Sequence, residues 1–167
     1  NATPRPRYGV YAPICSNKGV AFFGRDSEST LPVWSAKDGF PGDRVYREFH
    51  KDLGWELPAT KLQEKGISCK RPLGLKFHKI TDENVPLGKK EFYLETEAIK
   101  KAEEHADAYL QSRLKQLEKL ALSSSFNPLL VAPFDAELFG HWWYEGPIFL
   151  KNILKNSSKY SIKLTNL

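Results

Sequence analysis

The sequence predicts an α/β fold with parallel strands, and four stretches near its C-terminal end carry that prediction. Small and apolar residues recur every three or four positions over residues 98–121, which is the spacing of a long amphipathic helix. A nearly all-apolar run follows at 129–133, typical of a strand that is buried on both faces. A second helix is predicted over 146–156, because a proline stands near its first turn, and a final strand from Tyr160. This alternation favours right-handed βαβ units and a parallel sheet.

The first part of the chain is predicted to contain short strands and loops. Residues 5–12 and 19–24 are rich in Val, Tyr and Phe, which favours two strands around a turn at 17–19. The polar residues 25–29 predict a loop, and 33–35 an extended piece.

A short helix is predicted next, because Val45, Tyr46, Phe49 and Leu53 recur at helical spacing. The preceding Asp43 is placed to cap it, and Gly54 is placed to end it. Residues 73–80 then alternate apolar and polar side chains, which predicts a strand, and 81–90 predict a loop.

Composition and charge narrow the class of protein. A chain of 167 residues, 41% hydrophobic and 27% charged, fits one domain with a real core. It holds no apolar run of membrane-spanning length and no signal-peptide core, so we expect no membrane partner. The two cysteines, Cys15 and Cys69, are interpreted as free thiols in a reducing, cytoplasmic compartment. The net charge of +5 favours a solvated basic surface over nucleic-acid binding.

The chain contains no methionine, not even at its first position. A processed terminus would explain this, but we favour the interpretation that the sequence is an internal piece of a longer polypeptide.

The site prediction starts where the apolar run 129–133 stops. Asp135 follows it, and in parallel α/β proteins the chemistry lies at the carboxyl ends of the strands. Phe134, Phe139 and Trp142 would surround this carboxyl, and desolvation disfavours the ionised form of an acid. Asp135 would then keep its proton near neutral pH and give it to a glycosidic oxygen. The alternative is an aspartate that caps the turn into the next helix.

Glu137 and His141 lie in the same stretch. If the backbone stays extended, the carboxyls of Asp135 and Glu137 point the same way, as an acid and nucleophile pair or as metal ligands with His141. No known metal-ligand spacing matches these three residues, so we expect no metal and no cofactor. We expect Glu137 to support the loop.

Trp34, Trp142 and Trp143 offer large faces against which the C–H-rich faces of pyranose rings can lie. Arg25 can bond two hydroxyls or fix a carboxylate. The alternatives are three core tryptophans, since Trp is usually mostly buried, and an arginine in a surface ion pair. The remaining histidines are expected to be structural or solvated: His50, His78 and His105.

The string PFDAELFGHWWYEGP, residues 133–147, resembles the fourth conserved region of glycoside hydrolase family 57, most closely its 1,4-α-glucan branching enzymes. Further stretches are similar to the same enzymes in the same order: YGVYAP, GRDSES followed by VWSA, GFPGDRVYREFHKDLGW and AEEHADAYLQSR. The resemblance covers nearly the whole chain.

The resemblance implies a retaining enzyme acting on α-1,4-glucans of the glycogen, amylose or amylopectin type, on part of an incomplete seven-stranded (β/α) barrel. Asp135 matches the family's general acid/base. Arg25 and Trp34 match positions that line the glucan cleft, and Trp142 and Trp143 follow the acid/base as they do in the family. Glu137 and His141 match the motif with supporting roles.

One departure from the family pattern limits this expectation. The family's nucleophile is a glutamate on an earlier strand, which would lie upstream of Asn1. Residues 1–167 are therefore interpreted as a single partial catalytic domain, holding later barrel strands without the early ones and without the C-terminal helical domain. The fragment alone is expected to be inactive, and the rest of the parent polypeptide to supply the nucleophile. Amylase, 4-α-glucanotransferase and a non-catalytic glycan-binding piece stay open as alternatives.

Overall fold

The computed structural model describes residues 6–166, which form a mixed α/β segment. Its strands are β1 (Ile14–Cys15) and β2 (Ala21–Phe22), and its α-helices are α1 (Ser27–Trp34), α2 (Leu53–Glu56), α3 (Ala59–Glu64), α4 (Glu95–Ser123) and α5 (Gly146–Asn156). Single 3-10 turns lie at Phe40–Gly42, Leu87–Lys89, Ala136–Leu138 and Ser157–Tyr160. The two strands pair antiparallel, so the predicted parallel sheet is not formed within residues 6–166.

Helices α4 and α5 form the core and confirm the two helix predictions. The buried stripe of α4 begins with Ala98, Ala102 and Ala106, whose small side chains let other elements approach the helix closely. Phe149 of α5 packs edge-on against Tyr109 of α4, with ring centres 5.7 Å apart. Proline stands in the first turn of α5, where its missing N–H costs no hydrogen bond.

The N-terminal predictions hold at the turn and for the second strand, since β2 lies within the strand predicted over 19–24. Residues 16–20 turn between the two strands, and Ser16 N donates to Val20 O at 2.8 Å. The predicted strand over 5–12 is wrong, because residues 7–10 form turns; Arg5 lies outside the described residues.

Helix α1 replaces the loop predicted at 25–29 and the extended piece at 33–35. Asp26 is its N-cap, and the Asp26 carboxylate accepts the Ser29 N–H at 3.0 Å. Pro32 lies inside this helix, although proline usually interrupts helices.

The helix predicted over 45–53 is wrong. Arg47 instead forms an isolated antiparallel bridge with Lys79, and His78 forms one with Phe92. The strand predicted over 73–80 is therefore reduced to these two bridges near its end, and Gly74 near its start has φ +73°. Gly54 does not end a helix but lies inside α2.

Helix α2 starts at Leu53 because the side chain of Asp52 accepts hydrogen bonds from backbone N–H groups there. Its carboxylate accepts N–H groups from Gly54, Leu73 and Gly74, at 2.8 to 3.0 Å. Burial alone would raise the pKa of the Asp52 carboxyl. The three hydrogen bonds outweigh burial and hold this pKa below its ordinary value.

The apolar run 129–133 is extended but is not paired as a strand. Leu129 N donates to Tyr11 O at 2.9 Å, and Val131 O accepts from Asp26 N at 2.8 Å. The run therefore lies against two earlier segments of the chain. The strand predicted from Tyr160 is not formed within the described residues 160–166. A 3-10 turn, Ser157–Tyr160, ends at this residue instead.

Two further observations concern the whole described chain. Cys15 and Cys69 are free, as predicted, and both are exposed. Within residues 6–166, no helix has both the length and the apolar character needed to cross a bilayer.

Candidate active site

The loop of residues 134–145 joins the extended run to α5 and is tightly folded on itself. Gly140 N donates to Trp143 O at 2.8 Å, and Gly140 has φ +95°, a backbone region that favours glycine. A side chain at Gly146 would place its Cβ 2.9 Å from the Phe139 ring. The two glycines thus allow the loop to close against the start of the helix.

Asp135 begins this loop with its side chain exposed. Its backbone carbonyl accepts the Leu138 N–H at 3.1 Å, but its carboxylate makes no capping bond. The capping alternative is therefore not what this structure shows. The apolar enclosure expected from Phe134, Phe139 and Trp142 is also not formed around the carboxylate in residues 6–166.

Glu137 supports the loop through Trp142. Its Oε1 accepts the indole N–H of Trp142 at 3.3 Å, and its backbone carbonyl accepts the Trp142 amide at the same distance. The backbone here is a 3-10 turn, so the same-side arrangement expected of Asp135 and Glu137 does not follow. No group of three or more potential metal ligands occurs in the described part of the chain.

Trp142 presents an aromatic platform at the surface. Its side chain is 50% exposed, and its ring stacks on Phe49 with centres 4.4 Å apart and planes 29° apart. His141 stands edge-on to Trp142 at 5.3 Å, and Lys76 Nζ lies 3.7 Å from the centre of the Phe49 ring. Sequence analysis missed Phe49 and Lys76, because no local pattern reports a contact between such distant segments.

Trp143, the next residue, is 2% exposed and lies in the core. Its ring centre is 4.9 Å from that of Phe149 and 5.5 Å from that of Tyr46. Its indole N–H is buried without a hydrogen-bond partner. The substrate-binding role of Trp143 stays a prediction, and this burial favours the core alternative.

Arg25 is exposed and precedes the helix cap Asp26. The amide of Asp26 is bonded to Val131 O, which links the residue after Arg25 to the run that precedes Asp135. Trp34 ends α1 and is 37% exposed. Arg25 and Trp34 therefore lie at opposite ends of α1, with Arg25 before its N-cap and Trp34 as its last residue.

Asp26 is itself 2% exposed, and the prediction gave it no role beyond a loop. Besides capping α1, its carboxylate accepts the Gln116 amide N–H of α4 at 3.0 Å. The carboxylate of Asp26 thus joins α1 and α4, and its backbone amide joins them to the run 129–133.

Glu145 is a second buried carboxylate that the sequence did not single out, with 1% of its surface exposed. Burial raises its pKa, while the Tyr93 hydroxyl and the Arg47 amide, 3.1 Å from Oε1, oppose that rise. The Arg47 guanidinium lies 3.5 Å from the centre of the Tyr144 ring. This cluster anchors the C-terminal end of the site loop.

His105 forms a further cluster with Tyr46 and Asp43. Its Nδ1 is 2.8 Å from the Tyr46 hydroxyl, and its Nε2 is 3.5 Å from Asp43 Oδ2. Burial lowers the pKa of His105 and, together with Asp43, raises the pKa of Tyr46. The structural role expected of His105 fits this position.

A shallow cleft of about 290 Å³ lies beside His105 and holds none of the predicted site residues. It is lined by Pro32, Lys37, Asp38, Gly39, Phe40, Gly42, Asp43 and His105.

Comparisons with known proteins bear on this site. No protein-family model matches the chain. A 1,4-α-glucan branching enzyme of Thermococcus kodakarensis is 38% identical over 136 residues, covering 81% of this chain and 18% of that enzyme. The chain thus spans about a fifth of the length of this relative.

Two solved structures are similar over nearly all of the chain. One is an α-amylase of Thermotoga maritima, with a TM-score of 0.88 and 42% identity, covering 96% of this chain and 32% of that one. The other is a GH57-type branching enzyme of Pyrococcus horikoshii, with a TM-score of 0.79 and 35% identity, covering 94% and 26%.

Proposed function

This chain belongs to glycoside hydrolase family 57 as a partial segment, and on that premise we propose that it carries the acid/base part of a 1,4-α-glucan branching enzyme. The single observation behind the assignment is Asp135. Asp135 is exposed, and its carboxylate makes no capping hydrogen bond. It follows the extended run 129–133 and lies in the loop that carries the exposed Trp142. We place it in a single partial catalytic domain of a seven-stranded (β/α) barrel, as the family resemblance implies.

The proposed reaction needs two carboxyl groups. A glutamate from elsewhere in the parent polypeptide attacks the anomeric carbon of an α-1,4-glucan, while Asp135 gives its proton to the departing glycosidic oxygen. A covalent glucosyl-enzyme forms. Asp135, now a carboxylate, takes the proton from the 6-hydroxyl of an acceptor glucan, whose oxygen displaces the enzyme glutamate and forms an α-1,6 branch.

The surface residues have binding roles in this proposal. Trp142 supplies an open indole face, Arg25 bonds sugar hydroxyls, and Trp34, at the far end of α1, contacts a different part of the glucan. Glu137 and His141 hold the Trp142 indole. Trp143 supports the loop from inside.

Asp135→Asn in the full-length protein is expected to reduce turnover by about a hundred- to ten-thousandfold, because the amide cannot donate or accept the proton at this step. Binding of a malto-oligosaccharide, followed by calorimetry, should change little. Turnover close to that of the unaltered protein would remove Asp135 from the acid/base role.

An α-amylase function is a second candidate, favoured by the likeness to the Thermotoga maritima enzyme. The two are separated by the products formed from amylose. Branching gives chains that a debranching enzyme shortens, without a rise in reducing ends, whereas hydrolysis raises the number of reducing ends. A glycan-binding protein without activity would give neither product. The absence of nucleic-acid and membrane partners stays a prediction.

A further inference from the structure

The indole of Trp142 is held on three sides by other residues. Glu137 accepts its N–H at 3.3 Å, His141 stands edge-on at 5.3 Å, and Phe49 stacks against its ring at 4.4 Å. An indole has two faces, and Phe49 covers one of them. With Phe49 against one face, the 50% of Trp142 that stays exposed is the surface that a ligand can reach.

Phe49 is also held in place. Lys76 Nζ lies 3.7 Å from the centre of its ring, and His141 stands edge-on to it at 5.6 Å. Burial, followed by the charge of Arg47, lowers the pKa of Lys76, which marks a partly desolvated ammonium group against the ring. Phe49 and Lys76 therefore lie on the protein side of the stack, and Trp142 lies on the solvent side.

A fixed aromatic ring binds a rigid sugar with a smaller entropy cost than a mobile one. When a side chain with several rotamers becomes ordered on binding, the entropy cost lowers the affinity about two- to tenfold. A residue that orders the ring before the ligand arrives recovers that factor without touching the ligand.

We propose that Phe49 is a positioning residue that fixes Trp142 as a one-faced stacking platform for a pyranose ring. This inference rests on the proposed function, since it concerns the same glucan site. Phe49 contacts the indole rather than the sugar, so its contribution passes through Trp142. Glu137 acts in the same way at the indole N–H.

The test is a double-mutant cycle in the full-length protein, with binding of a malto-oligosaccharide measured by calorimetry. Phe49→Leu should weaken binding about two- to tenfold when Trp142 is present. In a Trp142→Ala background the same substitution should have no effect, because the ring that Phe49 positions is gone. Phe49→Tyr, which keeps the stacked ring, should bind as the unaltered protein does.

Each outcome bears on one claim. Equal losses of affinity from Phe49→Leu in both backgrounds would overturn the positioning role and indicate a general effect on folding. No loss when Trp142 is present would also overturn it. If Trp142→Ala leaves glucan affinity unchanged, the stacking role in the proposed function fails, and the platform fails with it.

A second variant keeps the test open if Phe49→Leu does not fold. Glu137→Ala removes the partner of the indole N–H on an exposed loop, whereas Glu137→Gln keeps an acceptor oxygen there. Weaker binding for the alanine variant alone supports a held platform. Equal binding by both variants would contradict it.

Discussion

The inner and outer faces of the loop 134–145 differ in what surrounds them. On the inner face, Trp143 is buried against Tyr46 and Phe149. On the outer face, its neighbour Trp142 is half exposed on Phe49. Two residues of one chemical type, adjacent in sequence, thus have different tasks because the backbone turns between them. The inner face supplies stability, and the outer face is available to a ligand.

The largest expected effect tests this division directly. Trp143→Ala should lower the free energy of unfolding by about 3–5 kcal/mol, because it leaves a large cavity in the core. Trp143→Phe should cost less, since it keeps a ring and removes an indole N–H that is buried without a partner. Urea denaturation of the full-length protein measures both. A small loss for the alanine variant would show that the inner face does not hold the loop.

A smaller effect is expected at the buried carboxylate behind the loop. Asp26→Ala removes the cap of α1 and the acceptor of the Gln116 amide, and should cost about 1–3 kcal/mol. Asp26→Asn keeps an acceptor oxygen and should cost less. Chemical denaturation of the two variants distinguishes them. Equal losses would mean that the negative charge, rather than the hydrogen bonds, is what α1 requires.

The pH dependence of stability offers a third test of the inner face. His105 is buried, and its pKa in the folded state is lowered from 6.5. Below about pH 6.5 the unfolded chain therefore takes up a proton that the folded state resists, so stability is full above that pH and falls as the pH decreases. One such group contributes at most about 1.4 kcal/mol per pH unit.

Asp43, Lys101 and Glu104 are the charged groups that act on His105. His105→Gln removes its titration and should flatten the fall in stability between about pH 6.5 and pH 5, as measured by denaturation at several pH values. The same steepness in both proteins would assign the dependence to other groups, such as His78, whose pKa burial also lowers.

The smallest effect on stability belongs to the outer face. Trp142→Ala should change the free energy of unfolding by about 0.5 kcal/mol or less, as is usual for exposed positions, while it weakens glucan binding. A loss as large as that of Trp143→Ala would erase the distinction between the two faces.

Local sequence patterns predicted the parts that local interactions determine. The alanine and leucine repeat of α4 and the Gly-Pro start of α5 each indicate a helix from local sequence alone, and the structure confirmed both helices. The 45–53 stretch also has helical spacing, but its backbone bonds go to residues 78–80 instead. The spacing of residues within one segment gives no information about a hydrogen-bond partner in a distant segment.

The candidate site depends more on folding. Motif resemblance singled out Asp135, Glu137 and Trp142, whose roles stay predictions. It did not separate Trp142 from Trp143, because exposure depends on the turn at Gly140 and on rings from distant segments. Phe49 and Asp26 were not recognised, since their contacts form only after folding.

The two exposed thiols also have a practical consequence. Cys15 lies on the small hairpin and Cys69 in the segment after α3, and both side chains are solvent-accessible. Neither thiol belongs to the aromatic stack or to the helical core. Each can therefore carry a maleimide dye or a spin label, and a pair of labels would follow movements between these two segments when sugar is added.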